Sequence, residues 1–465
     1  MNYKTPGVYI EEIPKLPPSI AQVETAIPAF IGYTQIAVDE RGKPLLNEPK
    51  RITSMLEYER FFGKPFEETG LKVTVAGDPN NPTSVLASIE NRSKFNMHYA
   101  LQMFFANGGG PCWIVSAGGY PASGLVTFVD LSTALNATEK VDEITLYVYP
   151  DAQGLELSVD FYNLFGASMS MCEKLRDRFT VMDIWQDPTQ PDLLANIQTM
   201  RDNTSSVEDT IKYGATYFPN LETILDFYYG GEGVGDAKVT IEGSFSGTLA
   251  DLKSSNNALY FQAQNAIRNF PLEMPPSPGI VGIYASVDNS RGVWKAPANV
   301  NMDYVIKPVI KITDIQQDTL NVDVNAGKSV NVIRSFVGRG NALVWGARTM
   351  AGNSNEWRYV PVRRFFNMAE ESIKKATIQF VFEPNDRNTW SRVKSMIDNF
   401  LVQQWKAGAL MGTTPEQAFY VKVGLNETMD EVDIWEGRMI VEIGMAVVRP
   451  AEFIILKFSH KMLSE

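Results

Sequence analysis

The sequence predicts an α/β body, followed by a smaller mixed α+β piece, with an extended strand arm at each end (α+β over the whole chain). Three observations carry this. Strand-like and helix-like patterns alternate from about residue 140 to 220, the arrangement of an α/β layer with partly parallel strands. Residues 351–465 change character, with a long one-sided helix and alternating strands. Both termini are short apolar strands attached through proline-containing chain.

Taken in order, the first residues hold Pro6, Pro14, Pro17 and Pro18, which forbid a helix and cannot donate to a ladder. Val8 and Ile10 alternate about Tyr9, so residues 7–12 read as one short strand in an arm, 1–24, with no core of its own. Residues 27–36 read as the first strand of the body. A helix over 96–106 carries Met97, Leu101, Phe104 and Phe105, ends at Asn107-Gly108-Gly109-Gly110, and is followed by a buried strand at 112–117. Beyond 140 come strands at 144–149, 179–184 and 215–219, with helices at 159–176 and 193–203 between them. The glycines at 230–235 break the rhythm, and residues 238–243 read as a strand of an elaboration near 230–270. Pro271, Pro275, Pro276 and Pro278 mark 271–279 as a linker or rigid loop, and a second folded stretch runs over 280–350.

In the last part, helices are expected at 365–375 and 388–406, and strands at 377–382, 418–424, 437–448 and 453–458. In the helix over 388–406, Trp390, Val393, Ile397, Phe400, Leu401 and Trp405 form one apolar stripe. Met439, Val441, Ile443, Met445 and Val447 alternate at period two, and Pro450 stops that strand.

The chain has 465 residues, with 42 basic and 54 acidic groups, a net charge of −12. Such acidity argues against binding nucleic acid or an anionic membrane over the whole surface. Residues 351–465 hold 14 basic and 15 acidic groups, 14 − 15 = −1, so the remaining −11 falls on residues 1–350. Residues 357–406 alone are 9 − 5 = +4, and residues 407–465 are 5 − 9 = −4. Cys112 and Cys172 form no CxxC, and with only His98 and His460 most nucleophilic and zinc chemistry lacks its base or ligand. No basic stretch followed by an apolar core marks a signal peptide, and no run is long enough to span a membrane. Synthesis in the cytoplasm without membrane insertion is therefore expected.

Chemical motifs are tested and set aside. Asn325-Ala326-Gly327-Lys328-Ser329 imitates the end of a P-loop, but Val322 stands where its first glycine belongs, so a turn between two strands is the better reading. Gly243-Ser244-Phe245-Ser246-Gly247 has phenylalanine at the nucleophile position. His98 is expected to be a surface or hydrogen-bonded side chain. Asp183, at the end of a buried strand, is placed where α/β enzymes keep a carboxylate; it and Glu383 are the residues on which a rival hydrolase or transferase reading would rest. No catalytic, cofactor or metal constellation is expected.

A lone strand is unstable in water. Burying Phe453, Ile454, Ile455, Leu456 and Phe458 is worth roughly 8–15 kcal/mol, against roughly 6–12 kcal/mol of backbone ordering. One arm joining a sheet is thus near break-even, whereas many arms in a lattice add up.

A series of motifs then carries a resemblance. It runs from Thr5-Pro6-Gly7-Val8-Tyr9-Ile10-Glu11-Glu12 and Thr25-Ala26-Ile27-Pro28-Ala29-Phe30-Ile31-Gly32 to Arg291-Gly292-Val293-Trp294-Lys295-Ala296-Pro297-Ala298-Asn299. It continues with Val344-Trp345-Gly346-Ala347-Arg348-Thr349, Tyr359-Val360-Pro361-Val362-Arg363-Arg364 and Trp405-Lys406-Ala407-Gly408-Ala409-Leu410-Met411-Gly412. In this order they resemble the sheath subunits of contractile tails, in phages, R-type bacteriocins and phage-tail-like injection particles.

The resemblance implies an outer domain over 25–345 and an inner domain over 346–449 joined by the N-terminal arm, with a C-terminal arm over 450–465. It implies arms lent to the sheets of neighbouring copies, through Val8, Tyr9 and Ile10 at one end and Phe453, Ile455 and Leu456 at the other. It further implies a helical homo-oligomer around an inner tube protein, baseplate and tail-terminator or cap partners, and a metastable extended state that contracts without nucleotide hydrolysis. Arg387, Arg392 and Lys394 are the expected contacts to an acidic tube. Neither cofactor nor nucleic acid is expected, and the particle is a virion tail or a phage-tail-like device.

Overall fold

A computed structural model of the protein describes residues 20–190, 192, 194–230 and 234–457. Val8, Tyr9 and Ile10, with the expected strand at 7–12, lie outside the described residues, as do Phe458 and His460. The described chain divides into two units: a large body, Glu24–Met368 with residues 449–457, and a small unit, Ala369–Val448 with residues 20–23.

The body is organised by an eight-stranded sheet. Its strands are β1 (Pro28–Thr34), β2 (Lys50–Ile52), β3 (Cys112–Gly119), β4 (Leu146–Val148), β5 (Phe179–Met182), β6 (Gly214–Phe218), β7 (Val330–Phe336) and β8 (Gly340–Val344), in the order β8-β7-β6-β5-β4-β1-β3-β2. The six inner strands are parallel, and β2 and β8 are antiparallel edges. Among the parallel strands β1 lies between β3 and β4, so the chain reverses its winding direction there, as in doubly wound folds.

Period-two alternation in each strand feeds two cores. Phe30, Ile114, Leu146, Val148, Val181 and Tyr217 face one layer, while Ala29, Ile31, Val115, Tyr147, Met182 and Phe218 face the other. Helices α1 (Met97–Ala106) and α3 (Ser277–Arg291) cover the first face, and α2 (Ser158–Leu175) covers the second. α1 stops as the glycines require: Gly108 takes φ 92°, and the Gly109 amide donates back to the Phe104 carbonyl at 2.9 Å. The β8 edge is covered by its own chain, since the Asn299 amide donates to Val344 O and the Met302 amide to Ala342 O, at 2.7 and 2.9 Å.

Several expectations are corrected. Residues 271–279 are not a loop: Leu272–Met274 is a strand paired with Leu221–Thr223, and α3 starts at Ser277, with proline tolerated in the first turn. Residues 280–350 are not a second folded stretch, because α3 packs in the first core and β7 and β8 complete the same sheet. The strand expected at 238–243 is present as Thr240–Gly243, and it pairs in parallel with Leu71–Asp78. Lys328 follows the helix Asp314–Asn321, so its turn joins a helix to β7.

In the small unit, α5 (Arg387–Lys406) buries Val393, Ile397, Phe400 and Leu401 from the expected stripe. Helix α4 (Val360–Thr377) runs through the division at Met368 and continues into a 3-10 turn, Ile378–Phe380, where a strand at 377–382 was expected; Phe382 then turns away at φ 71°. The strand expected over 437–448 is only Glu442–Met445, because Arg438 folds back onto Asp433 and Glu436 instead of extending.

Candidate assembly surfaces

Over the described residues 453–457 the strand expected at 453–458 is not formed, and residues 451–457 carry no regular structure. Phe453, Ile454, Ile455 and Leu456 are 70%, 80%, 79% and 72% exposed. A solitary strand is unstable in water, and among the described residues no strand pairs with this segment. Immediately before it, Glu452 is held. Its carboxylate accepts Arg348 Nε at 2.9 Å and Nη2 at 2.5 Å, and the Tyr359 hydroxyl at 3.3 Å. Four apolar side chains therefore leave an anchored root and stand in solvent. The anchoring pair is not apparent from motif or periodicity; the one signal is a lone glutamate between Pro450 and an apolar run.

The small unit holds the complementary feature. Phe419–Lys422 pairs antiparallel with Glu442–Met445, Phe419 opposite Met445 and Lys422 opposite Glu442, and among the described residues this sheet has two strands. A two-stranded sheet ends in unpaired backbone donors and acceptors, the standard template for an added strand.

The three basic residues expected to face an acidic partner all lie in the first turns of α5, but not on one stripe. Arg387 and Lys394 are seven apart and share a face, whereas Arg392, five from Arg387, lies about 140° round the helix. Arg392 is also partly engaged, 3.6 Å from Glu383 and with its guanidinium 5.3 Å over Phe380. Arg387 is exposed and Lys394 half-buried. Near these basic residues, Asn385 donates to the Arg438 carbonyl at 2.9 Å, joining the 382–387 corner to the chain just after the short helix Glu431–Trp435, on which Trp435 is exposed. Phe382 and Trp435 are both largely exposed, and of the two Trp435 was not singled out in the sequence.

The residues of the rival enzyme reading are occupied structurally. Asp183 is buried at the end of β5 and accepts the Ser277 amide at 2.9 Å and the Ser277 hydroxyl at 2.6 Å, holding the start of α3. A second carboxylate, missed in the sequence, does the same at the winding reversal. Asp151, just past β4, accepts the Tyr33 amide at 2.7 Å and the Asn96 amide at 2.5 Å at the start of α1. Gly32 has no side chain because a Cβ would come 2.4 Å from an Asp151 oxygen. Burial raises both carboxyls from 3.8 to about 7.

In doubly wound enzymes the carboxyl ends of these strands and the nearby helix N-termini receive ligands. Here the chain's own carboxylates fill them. Glu383 is an exposed partner of Arg392. Lys328 is buried, donating to the carbonyls of Arg201 and Thr204 at 2.5 and 2.7 Å at the end of the helix Ala195–Asn203, which is a helix-capping role and not a phosphate-binding one. His98 is bonded to Glu59 at 3.0 Å, as expected, and burial lowers its pKa. Among the described residues, no group of three or more His, Cys, Asp and Glu side chains is placed to hold a metal, and no helix is long and apolar enough to cross a membrane.

The body, its ligand crevice filled by its own side chains, carries an unpaired apolar strap, and the small unit holds an open two-stranded sheet; each feature suits a lattice-forming protein. Comparison with known proteins gives the kind. Residues 353–461 match the phage tail sheath C-terminal domain. The helical sheath of the anti-feeding prophage in its contracted state is 31% identical, with 99% of this chain and 100% of that chain covered and a TM-score of 0.65. The contracted sheath complex of the extracellular contractile injection system PVC is 29% identical, covering 99% of each chain, also with a TM-score of 0.65. The tail sheath protein of Vibrio phage KVP40 is 30% identical over 129 residues, 28% of this chain, and the match spans 19% of that relative's length. The chain belongs to the tail sheath family of contractile injection systems, whose members are structural sheath proteins.

Proposed function

We propose that this chain is a non-enzymatic protomer that polymerises as a helical sheath around an inner tube, and that contraction from a metastable extended state drives the tube through a target envelope. The observation that carries the reading is the exposed strap Phe453–Leu456 leaving an anchored root. Such a strap is worth its exposure when a neighbouring copy supplies the missing edge. The two-stranded sheet of the small unit is the receiving edge, and Val8, Tyr9 and Ile10 serve as the second arm. Joining strands head to tail from one copy to the next builds an open helix instead of a closed ring.

In this reading residues 25–345 form the outer domain, with its elaboration at 230–270. Residues 346–449 with the arm 1–24 face the tube, and 450–465 is the arm given to a neighbour. Arg387, Arg392 and Lys394 meet an acidic tube, the two faces they occupy being consistent with a helix lying across the tube wall. Baseplate and terminator or cap proteins close the two ends. No nucleic acid, cofactor or membrane insertion enters the mechanism; the work comes from surface buried on contraction.

The test is deletion of residues 453–465. The expected product is a folded, soluble monomer by sedimentation. Helical sheaths of normal length in negative-stain images of the deletion variant would refute the reading.

A further inference from the structure

We propose that Glu452 and Arg348 form a latch that fixes where the C-terminal arm leaves the body, and so sets how far it reaches toward a neighbouring copy. The inference rests on the sheath reading of the arm and assigns a positioning role to residues outside the joining strand itself.

Arg348 is a firm post. Its backbone amide donates to Asn331 Oδ1 at 2.7 Å, and Asn331 Nδ2 donates back to the Arg348 carbonyl at 2.7 Å, so an amide side chain on β7 holds both of its backbone groups. On its other side Arg348 bridges to Tyr359 as an antiparallel pair. The guanidinium, 4% exposed, also donates to the Asn321 carbonyl at 3.3 Å, leaving its Nε and Nη2 for the carboxylate. Two parallel N–H donors on one carboxylate give the fork geometry, which fixes direction as well as distance. A lysine could offer only a point charge.

The transition along the chain is abrupt. The Glu452 side chain is 17% exposed, and the next residue, Phe453, is 70% exposed. Before the latch, the last backbone hydrogen bond among the described residues runs from the Val448 amide to Ala409 O, within the small unit. Residues 449–457 belong to the body. A pull on the arm therefore ends at Arg348, and through Asn331 at β7 of the eight-stranded sheet. With the latch open, the free chain begins at 449 instead of 453. Four residues at 3.3–3.6 Å each add up to about 14 Å of reach. The pull would then land on Val448, in the other unit.

Reach matters because an added strand has a two-residue period, and a slip of one residue turns its apolar side chains to the wrong face. A fixed root limits the registers that the arm can sample. Slack of several residues removes that limit.

The test uses the full-length chain in four forms: wild type, E452A, a variant with four Gly/Ser residues inserted after Glu452, and the 453–465 deletion. The insertion keeps the latch and adds the same length of free chain that opening it would. Monomer melting temperature, critical concentration for assembly and regularity of the helical lattice are measured for each. The insertion is expected to melt as wild type does and E452A at a lower temperature, because Arg348 is left buried without its carboxylate; both are expected to be folded at the assay temperature, to raise the critical concentration at least about tenfold, and to give irregular lattices. E452D is expected to restore part of the loss in E452A.

Wild-type assembly by E452A, in an experiment where the deletion abolishes assembly, would overturn the latch and leave the arm reading standing. Impaired E452A beside a normal insertion variant would overturn the reach account. Normal sheaths from the deletion variant would instead bring down the arm reading on which it rests.

Discussion

Arg364 closes a two-pronged ion pair on Asp288, Nη1 to Oδ1 at 3.0 Å and Nη2 to Oδ2 at 2.5 Å, and its guanidinium lies 4.5 Å over the ring of Tyr284. Nη2 also donates to the Thr25 carbonyl at 2.9 Å, and the Thr25 hydroxyl donates to the same aspartate at 2.5 Å. The charges are 2% and 5% exposed. One side chain near the start of α4 thus ties together the last turn of α3 and the chain entering β1. Removing one partner strands the other in low dielectric. Arg364→Ala is expected to cost about 3–5 kcal/mol of stability, read by urea unfolding. Arg364→Lys should lie between, because the planar fork is lost while the charge stays.

Asp151 and Asp183 give the body a pH dependence of defined sign. Burial raises each from 3.8 to about 7 in the folded protein. A carboxyl whose folded value is raised favours folding fully below its unfolded value, and that contribution is lost as pH rises through the folded one. Between about pH 4 and pH 7 the two groups should therefore lower stability progressively, each by an amount on the order of 4 kcal/mol at most. Asp151→Asn is expected to flatten the slope of melting temperature against pH over this window. An unchanged slope would show that Asp151 ionises near its ordinary value.

The proposed joining role of the C-terminal arm predicts that assembly can be lost without loss of folding. Ile455→Glu with Leu456→Glu changes side chains that are 79% and 72% exposed, so monomer stability should move by no more than about 0.5 kcal/mol. Sedimentation should show the same pair of changes abolishing sheath formation.

Reversing Arg387 and Lys394 to glutamate leaves Arg392 and its Glu383 contact in place. Co-assembly with the tube protein is expected to fall and to become less sensitive to salt, since exposed charge pairs are screened. Undiminished co-assembly would count against the tube contact.

Both thiols are inert on physical grounds. Cys112 and Cys172 are buried, and burial pushes the Cys172 thiol up to about 12, with Cys112 raised further. Iodoacetamide at pH 8 should label neither in the native chain and both after unfolding.

The body was largely legible in the sequence because its signals are local. The alternation of Phe30 between Ala29 and Ile31, the glycines after Phe105, and the stripe from Val393 to Leu401 each fix an element from neighbouring residues. The strand expected at 377–382 failed because α4 and its 3-10 continuation had first claim on that backbone. The proline-rich 271–279 stretch misled because prolines that end helices also start them. The assembly features divide in the same way. The apolar strap Phe453–Leu456 was visible as composition, whereas Glu452 depends on an arginine 104 residues away in the chain, a pairing that no period encodes. Asp151 at the winding reversal was equally hidden, since its partners are backbone amides of Tyr33 and Asn96.

The two edges of the large sheet carry a last consequence. β2 is three residues long with Lys50 and Arg51 on it, and β8 is shielded by residues 299–302 of its own chain. The biggest stock of ordered strands in the molecule is thereby insulated from accidental growth. Even at high concentration, copies of such a chain are not expected to join into stray fibres through that sheet.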